Sequence, residues 1–185
     1  MKSVIIGTAG RTNRELLTPK VWSNMVAIAK EKVPKNSTGV SGGAAWADHL
    51  AVELYRLGHL SQLQLHLPAP LDNCRNYFVG GTKSAASASN YYHELFSNVI
   101  GRNTILDIVE ATQTIGCGYT YQEPDIGFKA LFIRNKLVAN EVKENDMVLA
   151  FTWGKDTVED SGTKNTWDQI MIKNKVHVSM HDMIK

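Results

Sequence analysis

Three glycine-centred segments hold the residues of this chain whose types and spacing could bind an anion. Gly7-Thr8-Ala9-Gly10-Arg11, Ser41-Gly42-Gly43-Ala44-Ala45-Trp46-Ala47-Asp48 and Ser161-Gly162-Thr163-Lys164-Asn165-Thr166-Trp167 each lie between an apolar or β-branched run and a helical pattern. A strand that ends in glycines and opens a helix presents free backbone N–H groups at the positive end of the helix dipole, where a phosphate or another anion binds. Consecutive glycines let the backbone approach a ligand, and the small alanines after Gly43 keep the first turn open. Each segment also has a purely structural reading. Gly42-Gly43 can be a tight turn, Ser161 or Thr163 an ordinary N-cap, and Arg11 a solvated loop arginine instead of a fork on a phosphate. Together, three such turns suggest one composite nucleotide-binding edge at the carboxyl ends of parallel strands. Its candidate contacts are Gly7, Thr8, Gly10, Arg11, Ser41, Gly42, Gly43, Gly162, Thr163 and Thr166, with Thr152 just past the apolar run 147–151.

Fewer residues offer acid, base or charge. Asp48 has three readings: a stabiliser of a positive helix end, a partner for a ribose hydroxyl, or a carboxylate that positions Arg134. Arg134-Asn135 sits in a helical pattern whose apolar face is explained by Phe132, Val138 and Ala139, so on residue pattern alone it is a commonplace surface pair. Tyr91, Tyr92 and Phe96 can stack on a base or simply fill a core. His177 and His181 are four apart, but they fall on a strand pattern, where that spacing makes no helical metal clamp, and no metal site is expected. The other histidines, 49, 59, 66 and 93, are scattered. No Ser-His-Asp or Cys-His signature announces a nucleophile.

The elements that must position these groups follow a βαβαβ order. Val4–Ile6 reads as a fully buried strand, Pro19–Val33 as a helix capped by Thr18, Ser37–Val40 as a strand, Ala44–Leu57 as a helix closed by Gly58, and Gln62–Leu67 as a third strand. Residues 71–122 are too long for a plain crossover and read as a helical insertion, with helices over Ser84–Val99 and Asn103–Thr114. Gly127–Val142 then reads as a helix, Met147–Phe151 as a strand, Trp167–Lys173 as a helix and Val176–Met180 as a final strand. The expected fold is α/β and Rossmann-like: a mostly parallel central sheet with helices on both faces, in a single domain spanning 1–185.

Composition narrows the partners. With 185 residues, 43% of them hydrophobic, the chain can bury a substantial core. Lys and Arg outnumber Asp and Glu by only 20 to 18, which gives no basic stripe for nucleic acid and requires any anion site to be local. Cys74 and Cys117 match no zinc or redox spacing. No run approaches the roughly 18 apolar residues of a membrane span, and no secretory signal opens the chain, so a cytoplasmic protein without a membrane partner is expected.

Read in order, Val40-Ser41-Gly42-Gly43-Ala44-Ala45-Trp46-Ala47-Asp48-His49-Leu50-Ala51, Gly127 to Arg134-Asn135 with Val138-Ala139, Val148-Leu149-Ala150-Phe151, and Ser161-Gly162-Thr163 resemble the landmarks of the SLOG superfamily, nearest its YspA/YpsA-like branch. That superfamily also holds the DNA-processing protein DprA, the cytokinin-activating phosphoribohydrolases and nucleotide-sensing domains of bacterial defence systems. The resemblance covers most of the chain outside 71–122. It implies a Rossmann-like domain that binds a nucleotide or nucleotide-derived ligand across the glycine turns. It also implies a frequent tendency to form homo-oligomers. In the phosphoribohydrolases, a Pro-Gly-Gly-x-Gly-Thr-x-x-Glu motif binds phosphate and supplies a catalytic glutamate, assisted by an arginine on a preceding helix. Gly162-Thr163 matches the Gly-Thr and Arg134 the arginine, whereas the glutamate position falls on Thr166. Threonine cannot supply a carboxylate's proton or charge, so hydrolysis would need Asp48, Asp168 or a residue such as Glu94.

Two functions are therefore expected from different classes. The first is a sensor, carrier or sequestering protein for a phosphorylated nucleoside or ADP-ribose-like compound. The second is a nucleoside 5′-monophosphate N-glycosidase or phosphoribohydrolase with Asp48, Arg134 and Asp168 as its catalytic group. No cofactor is expected under either, and DNA binding of the DprA kind is the least favoured reading.

Overall fold

A computed structural model describes residues 1–159 and 161–184, apart from the side chains of Asp125 and Ser161. Ser161 as an N-cap therefore lies outside the described residues.

In chain order the elements are β1 (Lys2–Gly7), α1 (Pro19–Lys32), β2 (Thr38–Ser41), α2 (His49–Arg56), β3 (Gln62–Leu67), β4 (Leu71–Asp72), β5 (Tyr77–Phe78), α3 (Ala85–Ile100), α4 (Thr104–Thr112), β6 (Cys117–Tyr121), α5 (Lys129–Asn140), β7 (Met147–Thr152), α6 (Ser161–Gln169) and β8 (Lys175–Ser179). Six strands form one sheet in the order β6-β3-β2-β1-β7-β8, and every pairing in it is parallel. The α/β, Rossmann-like expectation is met. β1 and β7 sit mid-sheet and read as unbroken apolar runs because both of their faces are covered. Ile5, Leu63, Leu65, Leu149 and Phe151 point into the larger core beneath α1 to α4, while Val4, Ile6, Val40, Val148 and Ala150 point towards α5 and α6. That alternation fixes the register, since a one-residue slip would exchange the two faces.

Helix starts follow local chemistry. The Thr18 hydroxyl accepts from the Val21 amide at 3.2 Å, with Pro19 in the first turn of α1. Ser84 and Ser87 cap α3 reciprocally, and Asn103 accepts the amides of Ile105 and Leu106 to open α4.

Three expectations need correction. α2 begins at His49, not Ala44, because Gly43 and Trp46 both adopt left-handed backbone (φ +66° and +60°) and the Ala47 amide donates to the Thr8 carbonyl, not along a helix. α6 spans Ser161–Gln169 and not Trp167–Lys173. It starts early because its first turn packs on α5, where Asn135 donates to the Gly162 carbonyl, and it stops at Ile170, which is buried in the smaller core. Segment 71–122 contains the two expected helices, but it also forms a small antiparallel hairpin, β4–β5, and delivers β6, the parallel edge strand beside β3. The segment is thus the crossover to that edge, which explains its length.

Candidate functional site

The glycine turns meet where the sheet changes direction. From β1 the chain winds one way through β2, β3 and β6 and the other way through β7 and β8, so the crevice outside the carboxyl ends of β1 and β7 is the topological switch point at which open α/β sheets bind ligands. A cleft of about 60 Å³ lies there. Gly7 and Arg11 from the β1 turn, Gly42 and Asp48 from the β2 turn, Arg134 and Asn135 from α5, and Gly162, Thr163 and Thr166 from α6 all line it.

Asp48 organises the β2 turn. Its carboxylate accepts the Ala44 amide at 3.4 Å and is favoured by the amides of Gly7 and Gly42. Its own carbonyl accepts the Ser41 hydroxyl at 2.8 Å. The amide nest expected to hold a ligand phosphate is thus already filled by an internal acceptor. Burial pushes the Asp48 carboxyl above the ordinary carboxylate range, a shift that Arg134 and these amides reduce but do not reverse.

Arg134 crosses the cleft from α5. Its Nη1 donates to the Gly42 carbonyl at 3.3 Å, while Nε and Nη2 donate to Asn135 Oδ1 at 3.2 and 2.8 Å. Asn135 in turn donates to the Gly162 carbonyl at 3.2 Å, so one buried amide ties the guanidinium to the start of α6. Gly42 is required by close approach: a Cβ there would stand 2.8 Å from both Arg134 Nε and Asp48 Oδ2. Burial lowers the Arg134 pKa, the Asp48 carboxylate opposes that shift, and Arg11 adds to it. Two guanidinium groups and one carboxylate are the charged side chains of this lining, which leaves a net positive cleft.

Other expected residues serve the scaffold. The Thr8 hydroxyl accepts the Gly10 amide, and the Gly43 carbonyl accepts from His93 Nε2 at 3.0 Å. Since that carbonyl can only accept, His93 carries its proton on Nε2 and takes the Thr104 hydroxyl on Nδ1 at 2.8 Å. Burial pushes the His93 pKa down to about 3, so the ring is neutral. Thr152 is fully buried against His177 Nε2 at 2.8 Å, away from the cleft. Asp168 pairs with Lys164 at 2.8 Å on an exposed face of α6, and Glu94 lines a separate groove on α3. Neither acid reaches the cleft, which leaves Asp48 as its carboxylate. Thr166 faces the cleft and donates to the Gly162 carbonyl at 3.4 Å.

Of the fourth wall the residue pattern offered only Tyr92, as a residue able to stack on a base or fill a core. Ala88, Ser89 and Tyr92 of α3 close the cleft, and the available signal was the small-residue run Ala85-Ala86-Ser87-Ala88-Ser89, which lets a helix approach closely. Among the described residues no helix is long and apolar enough to cross a membrane.

No family model matches the chain. A mimivirus protein described as "Uncharacterized protein R261", from Acanthamoeba polyphaga mimivirus, is 30% identical over 191 residues, covering 97% of this chain and 96% of the viral one.

Proposed function

The chain belongs to the family of that mimivirus protein, and we propose that it is a SLOG-type domain that binds a nucleotide or nucleotide-derived ligand as a sensor, carrier or sequestering protein. The observation that carries this reading is the charge balance of the cleft: Arg11 and Arg134 converge against one carboxylate, beside the first turn of α6, at the switch point of the sheet. Because Asp48 already fills the amides of the β2 turn, the ligand anion belongs instead at Gly162, Thr163 and Thr166, between the two guanidinium groups. Self-association belongs to the same proposal. The exposed Phe132 and Ile133 on α5, with Phe128 just before it, support it, and light scattering of the purified chain tests it.

Calorimetry against nucleoside mono- and diphosphates, cyclic nucleotides and ADP-ribose tests the main reading. At least one member is expected to bind with micromolar affinity, weakened about 10- to 100-fold by Arg134→Met, the usual loss for a charge-assisted contact. Silence across the whole panel overturns it.

One observation favours hydrolysis as a second reading. Asp48 is a cleft carboxyl whose proton affinity is raised by burial, the property a general acid needs. Chromatographic detection of free base released from nucleoside monophosphates, abolished by Asp48→Asn, would support it; no release from any of them rejects it.

A further inference from the structure

The buried face of α5 consists of Ala130, Val138 and Ala139 with one polar exception, Asn135. Asparagine is a poor residue for a helix interior, and a buried carboxamide is tolerated only where its hydrogen-bonding groups find partners. Both ends of this amide are filled, and each partner admits a single orientation. A guanidinium can only donate, so Oδ1 faces Arg134; a carbonyl can only accept, so Nδ2 faces Gly162. Aspartate would set an oxygen against the Gly162 carbonyl, and leucine, of similar size, would satisfy neither side.

The donors of Arg134 are divided accordingly. Of the five N–H groups of a guanidinium, Nε–H and one on Nη2 go to Asn135 Oδ1 at 3.2 and 2.8 Å, and one on Nη1 goes to the Gly42 carbonyl at 3.3 Å. One N–H on each Nη nitrogen is left without a partner among the described residues. Both acceptors are neutral, so the group is oriented without its charge being cancelled. Arg102 shows the alternative: carboxylates of Glu53 and Asp107 hold it, and its charge is spent on them.

We infer that Asn135 is a positioning residue for the cleft: it grips one edge of Arg134 with a neutral oxygen, so that the remaining N–H groups and the uncancelled charge are presented to the ligand anion. This inference rests on the reading of the cleft as an anion site. The same amide reaches the Gly162 carbonyl at 3.2 Å, so one side chain sets the guanidinium against the first turn of α6, whose Gly162, Thr163 and Thr166 line the cleft.

The test compares Asn135→Asp with Asn135→Leu in the full chain. Calorimetry follows inorganic phosphate and pyrophosphate, and the Arg134 Nε–H resonance, assigned by its absence from Arg134→Met, reports the grip on the guanidinium by NMR. In the wild type that proton is expected to exchange slowly. Aspartate keeps an acceptor in place but cancels the charge, so Asn135→Asp should retain the slow Nε–H and bind more than about ten-fold more weakly. Leucine frees the guanidinium and keeps its charge, so in Asn135→Leu the resonance should be lost to exchange while binding falls only about three-fold. An amide that merely joins α5 to α6 loses its Gly162 bond in both variants and predicts equal affinities, and that result overturns the assignment. If Asn135→Asp does not fold, the pairing of Asn135→Leu with Arg134→Met decides. The double variant should bind as Arg134→Met does, and a further loss overturns the role by showing that Asn135 acts without the arginine. If neither anion binds the wild type, the anion reading itself falls and leaves Asn135 nothing to position, whatever the resonance shows.

Discussion

Two places in this molecule bring arginines to buried carboxylates, and they differ in what is left over. Between α2 and α4, Asp107 meets His49 Nε2 at 3.2 Å, Arg102 Nε at 2.8 Å and Arg56 Nη1 at 2.9 Å, and Glu53 meets Arg102 Nη2 at 2.6 Å. Burial alone would raise the Asp107 pKa, but the bond to His49 and the charges of Arg102 and Arg56 bring it below the ordinary value. At the cleft, no pairing within 4.0 Å joins Arg134 to Asp48. Each instead bonds to backbone or to Asn135, and one face of each stays open to the cavity. The closed cluster spends its charges on one another and locks two helices. The open one holds its charges apart, and that residual valence is what a ligand can use.

The largest expected effect lies in the closed cluster. Asp107→Ala takes the shared buried carboxylate from Arg56, Arg102 and the His49 imidazole and leaves the two arginines to Glu53, and it should cost about 2–3 kcal/mol in urea unfolding, less than a fully buried ion pair because both guanidiniums stay partly in water, while the cleft geometry survives in whatever fraction folds. A loss below about 1 kcal/mol would show that the two regions do not differ as argued.

His93 links the regions, since it donates to the Gly43 carbonyl from a ring 5.8 Å from that of His49. Its pKa is depressed in the folded state, so its contribution is complete above the unfolded value near 6.5 and is lost as pH falls towards about 3. The slope is about 1.4 kcal/mol per pH unit, or about 2 kcal/mol by pH 5. His93→Gln should flatten the stability profile below pH 6.5; an unchanged slope would assign acid sensitivity to other groups.

A smaller effect is expected of Gly42→Ala. Its Cβ displaces Arg134 and Asp48 from positions only 2.8 Å away, so the variant should lose about 1 kcal/mol of stability. Whatever the open site binds should weaken more than ten-fold, and binding without that loss would remove Gly42 and Arg134 from the site.

The smallest expected effect has the opposite sign. The Asp48 carboxyl is raised in the folded state, so its stabilising contribution is present below the unfolded pKa and disappears as pH rises through the folded one. Above that unfolded value the buried carboxyl therefore costs stability. Asp48→Asn should melt above the wild type at pH 7 and converge with it below pH 4, the pattern of a group kept for function at the expense of stability.

The sheet was legible because β1 and β7 are buried on both faces and carry unbroken apolar runs, and because β3 alternates leucines with polar residues. The site was legible where a glycine had to admit a close neighbour, as at Gly42. Two kinds of information were hidden. One is backbone conformation against type: nothing in Trp46 signals a left-handed residue, so the α2 start was misplaced by five positions. The other is which side of a regular pattern faces inward. Phe132 fits the helical spacing of α5 as an apolar-face residue, yet it is 61% exposed, while polar Asn135 on the same helix is buried. Spacing identifies a helix; its neighbours decide its inner side.

The strand order has a consequence for how the protein is made. Ser3 pairs with Met147 and Gly7 with Phe151, and α6 follows later still. During synthesis residues 1–121 contain β1, β2, β3 and β6 with α1 to α4, four of the six strands of the sheet and most of its larger core. These strands wait with the inner edge of β1 unpaired until β7 leaves the ribosome, a long-range closure of the slow kind. The cleft cannot exist before α6, whose Gly162, Thr163 and Thr166 form one of its walls. A chain cut short after β6 would be edge-exposed and would lack the cleft.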